Sequence, residues 1–388
     1  MNMQISRTHA SGNASGWLTI DLGALFDNYR FLQAQAPASA VAGVVKADAY
    51  GLGADHVATT LYAAGCRDFF VAHIDEAISL RKLIAQDARF YVLNGLQPGN
   101  EASCEAFDIT PVLNSLAQVA QWSDFATSIG KTLPAILQVD TGMCRLGLPP
   151  EELEVLVKDQ SRLSGLRIDY IMSHLACADE PENLANAAQL AVMLEAALGL
   201  PNAKICFSNS GGIFLGSGYH NHLMRPGIAL YGGAPSVLRP NPMKPVVGLQ
   251  VAVVQTRIVP AGSQVGYGGS FVSKEEMRLA TLAAGYADGL PRSLSNSGAV
   301  WFNGQRLPIV GRVSMDSIIV DISALPEGTL QHGSLVEVIG PQQSLEDVAD
   351  DAGTIAYEIL TSLGCRYQRK YIQPRDAAAA LTDRVPNA

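Results

Sequence analysis

The chain has 388 residues, of which 48% are hydrophobic and 16% are charged, and its formal net charge at pH 7 is -9. This length and apolar content predict a globular protein with two domains, or with one barrel and an appendage. Because the net charge is acidic and no basic run occurs, the sequence argues against a nucleic-acid partner.

The cysteines and the chain ends indicate the cellular setting. The six cysteines stand singly, without the Cys-x-x-Cys pairs of a zinc site or the spacing of a disulfide framework. We therefore expect reduced thiols in the cytoplasm and no metal site. Residues 1–16 are polar and lack the apolar segment of a signal peptide or membrane anchor, so we expect a disordered tail there and another at residues 377–388.

The most informative segment is VVKADAYGLG, residues 44–53. The apolar run Val41–Val45 predicts a buried strand, and the glycines that follow supply a turn into a helix beginning near Ala54. Lys46 would then lie at the carboxyl end of a strand, where catalytic residues of α/β folds gather and where partial burial favours a neutral, nucleophilic amine. Taken alone, Lys46 fits a solvated surface lysine equally well.

Short apolar runs, each followed by a helix-like stretch, recur from residue 17 to residue 247. This alternation is typical of repeated βα units, and it predicts a closed, eight-stranded βα (TIM) barrel. A doubly wound sheet would need a G-x-G-x-x-G turn after its first strand, and none occurs there. The candidate strands are Val41–Val45, Phe69–His73, Phe90–Asn94, Ile109–Leu113, Ala135–Val139, Tyr170–His174, Lys204–Phe207 and Leu223–Arg225.

Residues 248–376 alternate apolar and polar residues between glycines and prolines, which predicts a mostly β C-terminal domain. Only Ser344–Asp351 and Gly353–Leu363 are predicted to be helical, the first with Ser344 as its N-cap and Asp347 three residues later. The candidate strands are Leu249–Val259, Leu279–Ala284, Val300–Phe302, Leu307–Val310, Ser317–Ile322 and Leu335–Ile339.

Residues with chemical potential follow several barrel strands, and a barrel brings such strand ends to one rim. Each has a simpler explanation when taken singly: Arg145 as a surface ion pair, His174 as a core histidine, and Asn209 as a helix N-cap. Together they are harder to dismiss. The set is Lys46 with Tyr50, Asp140 with Arg145, His174, Asn209 with Ser210, and Arg225 with Gly227.

Two of these segments suit a phosphate ester. Backbone amides after Asn209–Gly212 and at Gly227–Ile228 would be able to bind a dianion. A lysine near a phosphate nest suggests pyridoxal 5'-phosphate, whose aldehyde forms an imine with a lysine amine.

From about Trp17 to Tyr371 the chain resembles the alanine racemases, which are barrel-type (fold-type III) pyridoxal-phosphate enzymes. Any one of the shared motifs would be weak, but nine in family order across both domains are highly specific. They are VVKADAYGLG at residues 44–53, VDTGMCRLG at 139–147, SHLACADE at 173–180, SNSGG at 208–212, MRPGIALYG at 224–232, GYGGSF at 266–271, GYADGLPR at 285–292, GRVSMD at 311–316 and TIAYEIL at 354–360.

The resemblance implies interconversion of L-alanine and D-alanine through a pyridoxal-phosphate aldimine, for peptidoglycan synthesis or alanine catabolism. Racemisation needs two acid/base groups on opposite faces of the α-carbon. The family assigns Lys46 to one face and Tyr267, from the partner subunit, to the other, which implies a head-to-tail homodimer. His174 and Arg225 would assist the Tyr267 hydroxyl through a hydrogen-bonded chain.

The resemblance also assigns binding roles. Arg225 would face the pyridine nitrogen and keep it unprotonated, because a guanidinium only donates, and this would suppress transamination. Arg145 would contact the cofactor's phenolic oxygen or the substrate carboxylate. Met315 and Asp316 of the neighbouring subunit would control substrate access, and a narrow opening between Tyr267, Met315 and Tyr357 would favour a substrate as small as alanine. The remaining cofactor contacts are assigned to Tyr50, Asn209, Ser210, Gly227, Ile228 and Tyr357.

Two positions depart from the family pattern. Many members carry a lysine, often carbamylated, where this chain has Gln138, so we expect no carbamylation and no dependence on bicarbonate. Leu52 stands where many members have a histidine, and this change puts little of the functional assignment in doubt.

The alternative functions are those of a basic amino-acid decarboxylase, a broad-range racemase, and a pyridoxal-phosphate carrier. Arg225 and Tyr267 argue against the first, the lack of an export signal against the second, and the residues after the barrel against the third.

Overall fold

The computed structural model describes residues 14–200 and 203–374. The chain divides into two compact units, one with Leu25–Leu230 and Ala234–Met243, the other with the residues up to Ala24, Tyr231–Gly233 and the residues from Lys244 onward. We call them the barrel unit and the β unit. Of the predicted tail at residues 1–16, only residues 14–16 are described, and Gly16 begins the first strand, so the tail prediction is wrong at that residue. The predicted tail at residues 377–388 lies outside the described residues.

The barrel unit is built on a parallel sheet that closes on itself. Its spatial order is β2-β10-β9-β8-β7-β6-β5-β4-β3, and β2 and β3 are two parts of one strand interrupted at Ala42. The predicted eight-stranded βα barrel is therefore confirmed. After β1 (Gly16–Asp21), which belongs to the β unit, the strands are β2 (Ala40–Val41), β3 (Gly43–Val44), β4 (Asp68–Val71), β5 (Arg89–Val92), β6 (Ile109–Leu113), β7 (Leu133–Gln138), β8 (Leu166–Met172), β9 (Lys204–Cys206) and β10 (Leu223–Met224).

The helices between these strands bury one face, as the apolar spacing predicted. In α3, for example, Val57, Ala58 and Leu61 are buried and Asp55 and His56 are exposed. The helices are α1 (Leu22–Gln35), α3 (Ala54–Ala63), α4 (Ile74–Arg81), α5 (Glu101–Ala106), α6 (Leu116–Ser128), α7 (Pro150–Lys158) and α8 (Leu184–Leu198), and the label α2 (Lys46–Gly51) marks a left-handed turn.

The β unit contains a mixed eight-stranded sheet, a two-stranded hairpin of β12 and β13, and two helices, α9 (Leu345–Ala352) and α10 (Ala356–Ser362). Ser344 caps α9 as predicted, because its Oγ accepts the Asp347 amide at 3.1 Å and the Asp347 carboxylate accepts the Ser344 amide at 2.8 Å. The strands are β11 (Val247–Val259), β12 (Gln264–Val265), β13 (Phe271–Val272), β14 (Met277–Leu282), β15 (Ala299–Phe302), β16 (Gln305–Pro308), β17 (Ile318–Asp321), β18 (Leu335–Ile339) and β19 (Gln368–Ile372).

The first strand differs from the sequence-based expectation, which began the barrel at residue 17. β1 pairs antiparallel with β11, with Trp17 opposite Gln250, and parallel with β19, with Trp17 opposite Gln368. It therefore lies inside the sheet of the β unit. Leu18 and Ile20 are fully buried, so the strand contributes to that unit's core as well as to its hydrogen bonds.

Two further observations concern the described residues as a whole. None of their helices combines the length and apolarity needed to span a membrane. Among the same residues, no group of three or more histidine, cysteine, aspartate or glutamate side chains is arranged to hold a metal ion.

Candidate active site

Lys46 begins a strained turn directly after the barrel strand. Val45, the last residue before it, donates its amide to the Phe70 carbonyl at 2.9 Å. The next four residues, Ala47–Tyr50, all lie in the left-handed region, with φ values of 54°, 53°, 53° and 58°. For residues other than glycine this conformation costs roughly 1–2 kcal/mol each. Tertiary contacts must therefore hold the turn.

Two carboxylates provide such contacts. Glu76, near the start of α4, accepts the Ala47 amide at 2.6 Å. Asp48, inside the turn, accepts the Ala54 amide at 2.7 Å and so links the turn to the start of α3. The first two residues of the left-handed segment are thereby connected to neighbouring elements of the barrel unit.

The surroundings of Lys46 favour its neutral amine. Burial lowers the pKa of Lys46, the positive charges of Arg145 and Arg225 lower it further, and the Glu76 carboxylate acts in the opposite direction. Desolvation and nearby cations both disfavour an ammonium ion. The amine is therefore more readily available as a nucleophile or base than that of an exposed lysine.

Arg225 is a buried cation, with 3% of its surface exposed. It follows β10 and donates through Nη2 to the Ser173 carbonyl at 2.6 Å and through Nε to the Cys206 sulfur at 3.2 Å. Its Nη1 lies 3.5 Å from His174 Nδ1. Within residues 14–200 and 203–374, no carboxylate forms an ion pair with Arg225, so the guanidinium charge is not neutralised locally.

His174, which follows β8, is held in its neutral form. Burial lowers the pKa of His174 well below its ordinary value, and the charges of Arg225, Arg145 and Lys46 lower it further. The His174 carbonyl accepts Gln189 Nε2 at 3.0 Å, which fixes the backbone at this strand end. If Nδ1 accepts from Arg225, then Nε2 carries the proton and is available as a donor.

Arg145 lies on a loop organised by Asp140. One carboxylate oxygen of Asp140 accepts the amides of residues 142, 143 and 144 at 2.9, 3.0 and 3.1 Å. Burial alone would raise the pKa of Asp140, but these backbone hydrogen bonds hold it below its usual value. Gln138 is buried and donates to the Leu146 carbonyl at 3.2 Å. This contact links the loop to the end of β7.

Ser210, Gly227 and Tyr50 form a compact polar cradle. Ser210 Oγ accepts the amides of Gly227 at 2.9 Å and Ala229 at 3.3 Å. A Cβ placed on Gly227 would lie 2.2 Å from the Tyr50 hydroxyl, so only glycine allows that hydroxyl to approach the backbone here. Asn209 instead supports the neighbouring turn, donating to the Leu175 carbonyl at 3.1 Å and accepting the Gly212 amide at 3.0 Å. Ile228, buried, follows Gly227 directly.

The remaining predicted site residues belong to the β unit, where three of them are prominently exposed. The exposed fractions are 72% for Tyr267, 53% for Met315 and 42% for Tyr357. Asp316 is also exposed and accepts Arg366 Nη1 at 2.7 Å. Arg366 in turn forms a bidentate pair with the buried Asp288 at 2.6 and 2.7 Å.

Sequence reasoning missed Glu76, Gln189 and Arg366 as supports of these residues. A signal existed for Glu76, since a glutamate at the third position of a helix commonly bonds back to the preceding backbone. No local signal identifies Gln189 or Arg366, because their partners are distant in the sequence.

Two sequence profiles match the chain. That of the alanine racemase N-terminal domain matches residues 20–235, and that of the alanine racemase C-terminal domain matches residues 246–371. The chain belongs to the alanine racemase family. The family resemblance predicted from the nine motifs is therefore confirmed.

Relatives of known name agree with this assignment. A protein of Agrobacterium fabrum named "Alanine racemase, catabolic" is 69% identical over 385 residues, covering 99% of each chain. A Rhizobium johnstonii protein of the same name is 59% identical over 370 residues, covering 95% of this chain and 98% of the relative.

Solved structures of alanine racemases share the fold. The Bartonella henselae alanine racemase, described as having covalently bound pyridoxal phosphate, has 47% sequence identity and a TM-score of 0.90, covering 93% of this chain and 100% of its own. The biosynthetic alanine racemase of Pseudomonas aeruginosa has 33% identity and a TM-score of 0.84, with the same coverage.

Proposed function

We propose that this protein is a pyridoxal-phosphate-dependent isomerase that interconverts L-alanine and D-alanine. The observation that carries the proposal is Lys46, a lysine whose pKa is lowered by burial and by Arg145 and Arg225, in the same barrel unit as the polar cradle of Ser210, Gly227 and Tyr50. A neutral amine and an anion site are what this cofactor requires of a protein. Family membership supports the same activity.

The residues of the barrel unit fit the cofactor. The hydroxyls of Ser210 and Tyr50, both beside the backbone of Gly227, suit a phosphate group. The unneutralised charge of Arg225 suits an electron-rich partner such as a pyridine nitrogen. Lys46 would hold the cofactor covalently, with Arg145, Asn209 and Ile228 as further contacts. The family resemblance also assigns a cofactor contact to Tyr357, a residue of the β unit. When bound, pyridoxal phosphate acidifies the α-carbon proton of an attached amino acid.

The proton transfers are assigned to two residues. Lys46 holds or accepts the α-proton on one face, and Tyr267 of the partner subunit does so on the other face, because inversion requires delivery from the opposite side. Neutral His174, with Arg225 behind its Nδ1, would donate from Nε2 to the tyrosine oxygen and favour its anionic form. The head-to-tail homodimer is part of this proposal.

Arg225 would also limit the reaction to racemisation. A guanidinium stays protonated and only donates, so it keeps a facing ring nitrogen unprotonated. By facing the ring nitrogen only as a donor, Arg225 would favour return of the proton to the α-carbon over transamination. Met315 and Asp316 of the partner subunit, with Tyr267 and Tyr357, would restrict the substrate to a small amino acid.

The cellular role that we propose is alanine catabolism in the cytoplasm. The names of the Agrobacterium fabrum and Rhizobium johnstonii relatives support this choice over a supply of D-alanine for peptidoglycan. A deletion strain would distinguish the two roles. Failure to grow on alanine as the carbon source supports the catabolic role, and a requirement for added D-alanine contradicts it.

The enzymatic proposal is tested with purified holoenzyme. It should interconvert L-alanine and D-alanine, and in D2O both enantiomers should acquire deuterium at the α-carbon. Borohydride reduction followed by peptide mapping should leave the cofactor on Lys46. Label on another lysine would overturn the site assignment, and carbon dioxide release without racemisation would favour the decarboxylase alternative.

A further inference from the structure

We propose that Glu76 is a positioning residue for Lys46, whose carboxylate fixes the left-handed turn that sets the direction of the lysine side chain. The inference rests on the proposed function, in which Lys46 carries the cofactor. It adds a residue whose contribution to catalysis is made entirely through the backbone of the residues around Lys46.

The carboxylate of Glu76 connects two strand ends of the barrel. Its Oε1 accepts the Ala47 amide at 2.6 Å, and its Oε2 accepts the amides of Ala72 at 2.8 Å and His73 at 3.0 Å. The last two follow β4, while Ala47 follows β3, the neighbouring strand. Hydrogen bonds to a carboxylate are stronger than those between neutral groups, so this contact is a firm link.

The turn needs such a link because its conformation is unfavourable. Ala47, Asp48, Ala49 and Tyr50 have side chains that disfavour positive φ, and none of them is glycine. The Ala47 amide is the first backbone group after Lys46 and the first of the left-handed run. Without its acceptor, the turn loses a contact at the point where the chain leaves the strand.

Both ends of the turn carry chemistry. Lys46 precedes it, and Tyr50, its last left-handed residue, places its hydroxyl over Gly227. Relaxation of the turn would therefore displace the Lys46 amine and, at the same time, disturb the polar cradle of Ser210, Gly227 and Tyr50. Displacement of a reacting group by about 1 Å can reduce a rate roughly a hundredfold.

A role limited to capping α4 does not account for the geometry. A capping glutamate bonds to backbone groups next to its own helix, as Glu76 does with His73. The bond to Ala47 spans 29 residues and is the shortest of the three at 2.6 Å. Capping alone predicts a loss of stability, whereas positioning also predicts a change in the behaviour of Lys46.

Glu76→Gln is the informative substitution, because it keeps the size of the side chain. A carboxamide has one acceptor oxygen, so it cannot accept on both sides as the carboxylate does. The matched control is Glu152→Gln, since Glu152 accepts the Leu116 amide at 2.7 Å elsewhere in the barrel unit. Holoenzymes of both variants are compared in kcat, KM, thermal midpoint, cofactor dissociation and the pH profile of kcat, which reports groups of the substrate complex, where the Lys46 amine is free.

We expect Glu76→Gln to lower kcat by roughly tenfold to a hundredfold, with a smaller change in KM, and to weaken cofactor retention. The pH midpoint that reports Lys46 should move to lower pH, because the carboxylate that opposes the lowering of its pKa is gone. Glu152→Gln should lower the thermal midpoint by about as much as Glu76→Gln does, because each removes one carboxylate acceptor, and it should leave the pH profile of kcat unchanged.

A second substitution tests the strain directly. Glycine tolerates positive φ, so Ala47→Gly should recover part of the lost kcat when combined with Glu76→Gln. A role of Glu76 through charge or capping alone predicts no recovery. The proposal is overturned if wild-type label maps to Lys46 while Glu76→Gln keeps the wild-type kcat and pH profile, or if Ala47→Gly restores nothing. Label on another lysine in the wild type would instead overturn the proposed function.

Discussion

The two units carry their candidate functional residues in opposite ways. In the barrel unit, Arg225 is 3% exposed and His174 is half-buried, and each is hydrogen-bonded within the unit. In the β unit, Tyr267 is 72% exposed and Met315 is 53% exposed. The barrel unit therefore holds its groups in fixed positions, while the β unit presents its groups on a surface.

This difference indicates which unit has its functional groups already oriented and which unit presents them to a partner. Buried polar groups with fixed partners are already oriented for chemistry, so they cost little reorganisation during a reaction. Large exposed aromatic and apolar side chains are typical of surfaces that bind a partner. The comparison supports a site that is complete only after association, as the proposed homodimer requires. The following predictions test that comparison, from the largest expected effect to the smallest.

Replacement of Lys46 should have the largest effect. Lys46→Ala removes both the covalent attachment point and one proton-transfer group, so we expect kcat to fall by about 10³-fold or more. Racemisation is followed by circular dichroism or with a D-amino-acid oxidase. Lys131→Ala, at an exposed lysine paired with Glu105, is the control and should remain active. A comparable loss of kcat in Lys131→Ala would contradict a specific role for Lys46.

Replacement of the Tyr267 hydroxyl should have the next largest effect. Tyr267→Phe keeps the ring but removes the proton-transfer group, so we expect a loss of about 10²- to 10³-fold in kcat. Tyr62→Phe, at a hydroxyl that donates to Asp87 at 2.7 Å in the barrel unit, serves as the control. Near-normal racemisation by Tyr267→Phe would contradict its role as the second base.

Mixing the two inactive proteins tests where Tyr267 acts. If Tyr267 acts in the partner subunit, a mixed dimer of Lys46→Ala and Tyr267→Phe contains one intact site. After exchange of subunits, activity should return to about a quarter of the wild-type value, because half of the dimers are mixed and each has one working site. No recovery despite demonstrated subunit exchange would show that both groups act within one chain.

His174 should produce a moderate, pH-dependent effect on stability. Because burial lowers its pKa in the folded state, the unfolded chain binds a proton that the folded chain does not as the pH falls below the ordinary value of about 6.5. The free energy of unfolding should therefore decrease on acidification, by at most about 1.4 kcal/mol per pH unit from this group. His174→Gln should reduce that slope in urea titrations, while His332→Gln, at an exposed site, should not.

The smallest effect concerns Gln138, for which we predict that bicarbonate does not change the rate. A neutral amide in place of a lysine offers no amine for carbamylation, and it donates to the Leu146 carbonyl at 3.2 Å. Added bicarbonate should leave the rate unchanged in degassed buffer. A clear rise in rate with bicarbonate would contradict the predicted independence.

The sequence predicts the barrel rim well because the relevant signals are local. A short apolar run ending at Lys46 places that residue at a strand end, and the same logic applies to His174 and Arg225. The left-handed conformation of Ala47–Tyr50 is a different case. These residues carry no glycine or asparagine to signal it, and tertiary contacts such as that of Glu76 impose it.

The placement of β1 was not predictable for a related reason. No strand was predicted at residues 16–21, and the sheet that this segment joins depends on pairing with β11 and β19, which are far away in the chain. Likewise, the contact of Gln138 depends on how the loop before Leu148 folds back on the strand. Local patterns identify elements, and long-range pairing decides where they go.

The position of β1 between β11 and β19 has a consequence for synthesis. The ribosome releases this strand early, yet its parallel neighbour is among the last described segments to emerge, so the sheet that contains both must wait for a nearly finished nascent chain. Any fragment that starts after Ala24 would leave β11 and β19 without the strand that joins them. The β unit is therefore not separable as a contiguous C-terminal piece.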